Sequence, residues 1–284
     1  MNERYQAMSL PDRIVSATAP KLPQLPASDA QSVLAALAEG GGVLAMLTGI
    51  EGRFYRPIGA MMAVLPDGNQ VGQLSGGCVE GDIGLHATQL AAVGEETTLR
   101  YGAGSPFFDI RLPCGSGIEV TLLRVSGDQI LPALQDLAQR RIATLELGSL
   151  PRVQVQPETR IVVTGEGNEA AAFATLAHAA GYDVFHAAIP ELETVDEFTS
   201  IVLFFHDHQR ETAILETALK SPAFWIGAQG SRLSQQRRLD TLRDRGIAES
   251  QLSRIRGPIG LIPQARDART LAISVLAEIA AARP

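Results

Sequence analysis

From residue 160 onward, short apolar runs alternate with helical segments, and this alternation limits the fold more than any other feature of the chain. Arg160-Ile161-Val162-Val163-Thr164 reads as a strand. It runs into Gly165-Glu166-Gly167-Asn168-Glu169-Ala170 and a helix to His178 that closes near Gly181. Further strands are predicted at Asp183–Phe185, Ser200–Phe205 and Ala223–Gly227, with helices at Glu211–Leu219, Arg232–Arg245 and about Asp267–Ala281. Strands that alternate with helices build a parallel sheet covered on both faces. Residues 159–284 are therefore predicted to form a Rossmann-like, doubly wound parallel-sheet domain. Such sheets bind ligands at the carboxyl ends of their strands.

The first half has a different grammar. Residues 1–27 hold Pro11, Pro20, Pro23 and Pro26 with little periodicity, as expected of an extended arm. Ser28-Asp29-Ala30-Gln31 resembles a capping box and opens a helix with Val33, Leu34 and Leu37 on one face. Val43–Leu47 reads as a buried strand. Glu51–Ala60 is an irregular loop with two arginines and two aromatics, and Met61–Leu65 with Val71–Leu74 forms a hairpin around Pro66-Asp67-Gly68-Asn69. A helix follows over Val79–Val93, with Ile83, Ala87 and Leu90 facing inward. A loop is predicted at Tyr101–Gly104, a strand at Ile118–Val125, a helix at Asp128–Arg141 and a short strand at Ala143–Leu147. The expected fold is thus α/β: a mixed α/β domain over 28–147, a linker over 148–158 containing Pro151 and Pro157, and the Rossmann-like domain over 159–284.

Bulk properties narrow the function. A length of 284 residues suits two domains, and 45% hydrophobic with 19% charged residues suits a sizeable core. The net charge of −7 argues against nucleic acid as a partner. No apolar run approaches a membrane span, and the N-terminal stretch lacks the apolar core of a signal peptide. The two cysteines, Cys78 and Cys114, make no disulfide framework and fit a reducing compartment.

Both cysteines sit among glycines. Leu74-Ser75-Gly76-Gly77-Cys78-Val79-Glu80-Gly81-Asp82 takes the hairpin into a helix. Gly76 and Gly77 allow a tight turn, and Cys78 falls at a helix N-terminus, a position that favours anions. Pro113-Cys114-Gly115-Ser116-Gly117 repeats the theme before the next strand. Two such thiols could ligate a soft metal, form a redox pair or carry sulfur; equally, each could be a packed core cysteine. Gly165-x-Gly167-x-x-Ala170 has the context of a dinucleotide loop. The following strand, however, ends Phe185-His186-Ala187-Ala188, without the acid that holds a ribose, which argues against NAD(P). His206-Asp207-His208 and the arginines Arg232, Arg237 and Arg238 complete the candidates, for proton transfer or metal and for phosphate respectively. Arg243 and Arg245 read as solvent-facing.

Several stretches together resemble one family, the xanthine dehydrogenase accessory proteins (XdhC/CoxI). They are Glu51-Gly52 with Arg56-Pro57 and Gly59-Ala60; Ser75-Gly76-Gly77-Cys78-Val79-Glu80-Gly81; and Cys114-Gly115-x-Gly117-Ile118-Glu119-Val120. His206-Asp207, Trp225-Ile226-Gly227-Ala228-x-Gly230-Ser231-Arg232, Pro258-Ile259-Gly260-Leu261 and the helix with Ala272-Ile273-Ser274 follow in order. The resemblance implies a cytoplasmic, dimeric chaperone that binds the molybdenum cofactor (molybdopterin) while a cysteine desulfurase supplies its terminal sulfur. It then passes the cofactor to an apo xanthine-dehydrogenase-type hydroxylase. The residues implied are Cys78 and Cys114 for molybdenum or its sulfur. Ser75, Gly76, Gly77 and Gly115 would shape the pocket, and Arg53, Arg56 and Arg232 would neutralise the anion. The alternatives are an NAD(P)-dependent oxidoreductase built on the Gly165 loop, or a non-catalytic docking scaffold. The chain departs from the family's usual Glu-Gly-Ser-Ser-Pro-Arg loop with Glu51-Gly52-Arg53-Phe54-Tyr55-Arg56.

Overall fold

The computed structural model of the chain describes residues 23–105, 112, 115–188, 190, 192–205 and 208–284. The first half runs β1 (Gln24–Pro26), α1 (Ala27–Gly40), β2 (Gly42–Glu51), β3 (Met61–Val64), β4 (Gln70–Gly72) and α2 (Glu80–Val93). It continues with β5 (Glu96–Gly102), β6 (Gly117–Val125), α3 (Gly127–Ala138), β7 (Ala143–Leu145) and β8 (Val153–Gln156).

Strands β2 to β6 form one antiparallel sheet in the order β4-β3-β2-β6-β5. β2 is apolar throughout Val43–Leu47 because both faces of the sheet are covered. Successive strand residues point to opposite faces. Leu44 and Met46 accordingly join the core with Leu34 and Leu37 of α1 and Ile130 and Leu137 of α3. Val43, Ala45 and Leu47 join Ile83, Ala87 and Leu90 of α2 on the other side. The expected inward faces of α1 and α2 are therefore the ones buried.

Two strands are absent from the sequence reading, and the first takes in Tyr101 and Gly102 of the loop expected at Tyr101–Gly104. β5 occupies Glu96–Gly102 and pairs with β6 from Glu96↔Leu123 to Gly102↔Gly117. Its inward residues Leu99 and Tyr101 are buried. The segment read as linker carries β8, which pairs parallel with β1 and antiparallel with β7 in a separate three-stranded sheet. Val153 and Val155 are buried in the α1–α3 core. Val-Gln-Val-Gln is a period-2 pattern, and Pro151 and Pro157 stand outside the strand, where proline costs no ladder hydrogen bond. Of the predicted arm, residues 1–22 lie outside the described residues, and Gln24–Pro26 is β1.

The second half runs β9 (Arg160–Gly165), α4 (Asn168–Ala179), β10 (Asp183–His186), β11 (Thr199–Phe204), α5 (His208–Leu219) and β12 (Trp225–Ala228). α6 (Arg232–Asp244), α7 (Glu249–Leu252), β13 (Ile255–Arg256) and α8 (Ala268–Ala282) complete it. All five strands are parallel, in the order β10-β9-β11-β12-β13. One face is covered by Phe173 and Ala177 of α4 with Val275 and Ile279 of α8. Leu215 and Leu219 of α5 with Leu242 of α6 cover the other. This is the doubly wound sheet that the alternation predicted. β13 has only two residues, too few to carry a sequence signal.

The two halves meet at Arg140. This residue follows α3 with φ +58°, a left-handed conformation. Its guanidinium forms an ion pair with Asp196, ahead of β11, with Nη2 3.1 Å from Oδ1, and donates to the Glu158 carbonyl at 2.9 Å. Among the described residues, no helix is long and apolar enough to cross a membrane.

Candidate functional site

The register of the antiparallel sheet gathers three connections at one end. Glu51, the last residue of β2, pairs with Gly117, the first of β6, and Gly117 pairs with Gly102, the last of β5. β3 begins at this end too, and Gly72 at the close of β4 pairs with Met62. The segments 52–60 and 73–79, and the two ends of the third connection at 103–105 and 115–116, therefore lie at the same end of the sheet. Arg56 ties the first to the second by donating from Nη2 to the Gln73 carbonyl at 2.9 Å. Arg100 braces the third: it pairs with Glu51, donates to Glu119 Oε1 at 3.0 Å and donates to the Ala103 carbonyl at 3.0 Å.

The 73–79 loop is organised from within. Gly76 and Gly77 take φ of +73° and +108°, which L side chains rarely adopt. The turn folds the Glu80 side chain back over its own approach. Glu80 Oε1 accepts from Leu74 N at 2.8 Å and Ser75 N at 2.5 Å. Oε2 accepts from the Ser75 hydroxyl at 2.5 Å, Gly77 N at 2.8 Å and Val79 N at 3.2 Å. The Ser75 oxygen in turn accepts from Cys78 N at 2.9 Å and Val79 N at 3.0 Å. Glu80 is buried, and burial alone pushes its carboxyl up. The hydrogen bonds from the Ser75 hydroxyl and from the Ser75 and Leu74 N–H groups outweigh burial and bring it down to about 2.

This corrects one expectation. The sequence suggests N–H groups at the head of α2 that are open to an anionic ligand; those of Gly77, Cys78 and Val79 are instead satisfied by Glu80 and Ser75. The Cys78 thiol is free and exposed, while Val79 beside it is fully buried. Glu80 is legible in the sequence as part of a motif but draws no role of its own there. An acid at the first helical position beside two glycines is the available signal, since successive N–H groups in such a turn form an anion-binding nest.

Aromatic and charged groups surround this loop. Tyr55 is 66% exposed. Its ring lies 5.2 Å from that of Phe54, which packs against the α2-side core. Arg53 is exposed and Arg56 half-buried. In the first turn of α2, Asp82 accepts from the Tyr101 hydroxyl at 2.7 Å and lies 3.5 Å from His86 Nε2. Burial, then the hydrogen bond and charge of Asp82, push the Tyr101 phenol well above its ordinary range.

The structure thus brings Ser75, Gly76, Gly77, Cys78 and Arg56 together. Gly115 is exposed in the third connection. Cys114, His206 and Asp207 lie outside the described residues, as do the side-chain surroundings of His208. Arg232 stands in the first turn of α6, exposed, in the other half of the chain. Three other arginines of that run are committed elsewhere. Arg238 is buried against Glu211 at 2.6 Å and donates to the Gln229 carbonyl at 2.7 Å. Arg243 pairs with Asp240 and Glu249, and Arg245 with Glu216. Among the described residues, no group of three or more His, Cys, Asp or Glu side chains is placed to hold a metal ion.

In the parallel sheet, Gly165 serves packing. A Cβ there would overlap the Phe204 carbonyl across the β9–β11 pair. Glu166 is exposed and lies 3.8 Å from Arg210. β10 ends in Phe185 and His186, both exposed, with the Arg160 guanidinium 4.9 Å from the centre of the Phe185 ring.

An antiparallel α/β domain bearing a glycine-cysteine turn, followed by a doubly wound parallel domain, defines a class, and comparison with known proteins agrees with it. Residues 35–102 match the family model described as XdhC and CoxI family, and residues 161–279 match that of the XdhC Rossmann domain. The chain is 38% identical to the molybdenum cofactor insertion chaperone PaoD of Escherichia coli, over 89% of this chain and 86% of that protein. It belongs to the XdhC/CoxI family. It is also 24% identical to a protein of Bacillus subtilis described as a probable xanthine dehydrogenase subunit, over 84% of this chain and 92% of that one. A crystal structure described as a xanthine dehydrogenase from Bacillus halodurans has the same fold. Its TM-score is 0.70 at 20% identity, covering 88% of this chain and 94% of that one.

Proposed function

We propose that this protein is a molybdenum cofactor insertion chaperone. It binds the cofactor, supports its sulfuration and delivers it to an apo molybdenum hydroxylase of the xanthine dehydrogenase type. The observation that carries this reading is the 38% identity to PaoD along nearly the whole of both chains. The site chemistry is consistent with it. A soft thiol, Cys78, stands exposed on a loop fixed by its own hydrogen bonds, a suitable donor toward a sulfur-bound molybdenum centre. Arg53 and Arg56 lie on the neighbouring connection, where guanidinium groups would balance the cofactor's phosphate. Cys114 is the second sulfur in this reading, and Gly115 lies beside it.

The remaining roles belong to the same proposal: a cysteine desulfurase as sulfur source, a cytoplasmic homodimer as the working form, and Arg232 as a contributor from the second domain. The deciding experiment is co-expression with cofactor-synthesising machinery, followed by molybdenum and pterin analysis of the purified protein. Stoichiometric molybdenum and pterin are expected. Protein that carries neither under those conditions overturns the reading.

A further inference from the structure

Five donors converge on one carboxylate at the head of α2. Leu74 N, Ser75 N, the Ser75 hydroxyl, Gly77 N and Val79 N all point at Glu80, and the Ser75 oxygen holds Cys78 N. A ring of backbone N–H groups of this kind is shaped for an anion. Here the anion comes from the chain itself.

We propose that Glu80 is the built-in anion of this loop, a positioning residue that fills the N–H nest and holds Cys78 outward, so that the ligand meets the thiol and not the backbone. This rests on the cofactor-binding reading of Cys78 and adds to it where the cofactor's phosphate does not go.

The competing arrangement has the ligand's phosphate enter the nest and displace Glu80. Two observations oppose it. Glu80 is 8% exposed, and its two oxygens accept five hydrogen bonds that displacement would break. A phosphate approaching the occupied turn would also meet a carboxylate of like charge. Ser75 extends the same device. Its hydroxyl gives its hydrogen to Glu80, leaving the oxygen free to accept from Cys78 N and Val79 N. The Cys78 backbone is thereby coupled to the Glu80 charge through one side chain.

The test follows amide hydrogen exchange at residues 74–79 in the full-length protein, with and without inorganic phosphate. In wild type, the amides of Leu74, Ser75, Gly77 and Val79 are expected to be protected and indifferent to phosphate. In Glu80→Gln, protection at these amides is expected to fall roughly tenfold or more, the effect of losing at least one hydrogen bond of ordinary net strength. Amides of β2 and β6 should stay unchanged, which reports an intact fold. In Glu80→Ala, formate is expected to restore protection, because the emptied nest accepts a small carboxylate. Truncating a merely space-filling residue would leave a cavity without donors to hold formate. The proposal is overturned if phosphate alters these amides in wild type, if Glu80→Gln leaves them as protected as before, or if formate has no effect on the emptied loop. Cofactor retention is measured in parallel, and Glu80→Gln should lose it although Cys78 is intact. Wild-type protein that retains no cofactor sinks the functional reading, while the exchange data still judge Glu80.

Discussion

The Ser75 hydroxyl donates to Glu80 Oε2 at 2.5 Å, and the same oxygen accepts from the two N–H groups that follow the turn. One side chain therefore passes the order imposed by a buried carboxylate to the backbone of the exposed cysteine. The loop has a polar core of its own, separate from the apolar core beneath α2.

Removal of that hydroxyl should be felt locally. Ser75→Ala leaves Cys78 N without this acceptor, takes one of two acceptors from Val79 N and removes one donor from Glu80. The expected cost is about 1–3 kcal/mol, the range for losing a hydrogen bond to a charged group in a partly buried place. Thermal or urea unfolding measures it. An unchanged midpoint would mean that water replaces the hydroxyl at no cost.

Cys78 should behave in the opposite way. Its thiol is exposed, so Cys78→Ala is expected to change stability by no more than about 0.5 kcal/mol, as surface substitutions usually do. If the thiol contacts the cofactor, the same variant should retain at least about tenfold less cofactor, equivalent to about 1.4 kcal/mol of binding. Paired unfolding curves and cofactor titrations separate the two effects. Full retention by Cys78→Ala would take the thiol out of its assigned role.

Gly165 is predicted to matter to the fold of the parallel domain whatever ligand that domain takes. It has φ +119° and lies against the Phe204 carbonyl, so Gly165→Ala combines an unfavourable backbone conformation with overlap on a neighbouring strand. A loss of at least about 1–3 kcal/mol is expected. Urea unfolding measures it, and a variant as stable as wild type would show that β9 and β11 can separate freely.

The sequence disclosed the parts whose signals are periodic or unbroken. The stripe of Ile83, Ala87 and Leu90 expresses the 3.6-residue repeat, the alternation from Arg160 repeats at the level of whole elements, and the unbroken apolar run Val43–Leu47 marks a strand buried on both faces; each stands where it is expected. β8 also carries a period, but prolines on either side disguise it, and a strand of four residues offers little else to read. The candidate loop is legible as chemistry: two glycines and a thiol at a helix start. Its internal wiring is not: the two glycines mark a turn with positive φ, but residue order does not show that the turn folds the Glu80 side chain back onto the N–H groups before it. For the same reason Arg238 resembles a phosphate clamp until Glu211, 27 residues earlier in the chain, is seen against it.

The contact between the two halves gives the last prediction, a dependence of stability on pH. Asp196 is partly buried, which alone pushes its carboxyl up. The hydrogen bonds from Arg140 and Thr199, the Arg140 charge and the Phe198 N–H together bring it below the ordinary value of 3.8. A group whose pKa is depressed by folding contributes stability that is fully present above the unfolded pKa, about 4, and is lost as the pH falls through the native value. Asp196→Asn keeps the shape and removes the charge. At neutral pH it should cost on the order of 1–3 kcal/mol, the range for hydrogen bonds to charged groups. That difference from wild type should shrink steadily below about pH 4, because the wild-type carboxyl then becomes neutral as well. Urea unfolding of both proteins at a series of pH values makes the comparison. A gap that stays constant from neutral pH to well below 4 would show that the Asp196 charge does no work in joining the end of α3 to the parallel-sheet domain.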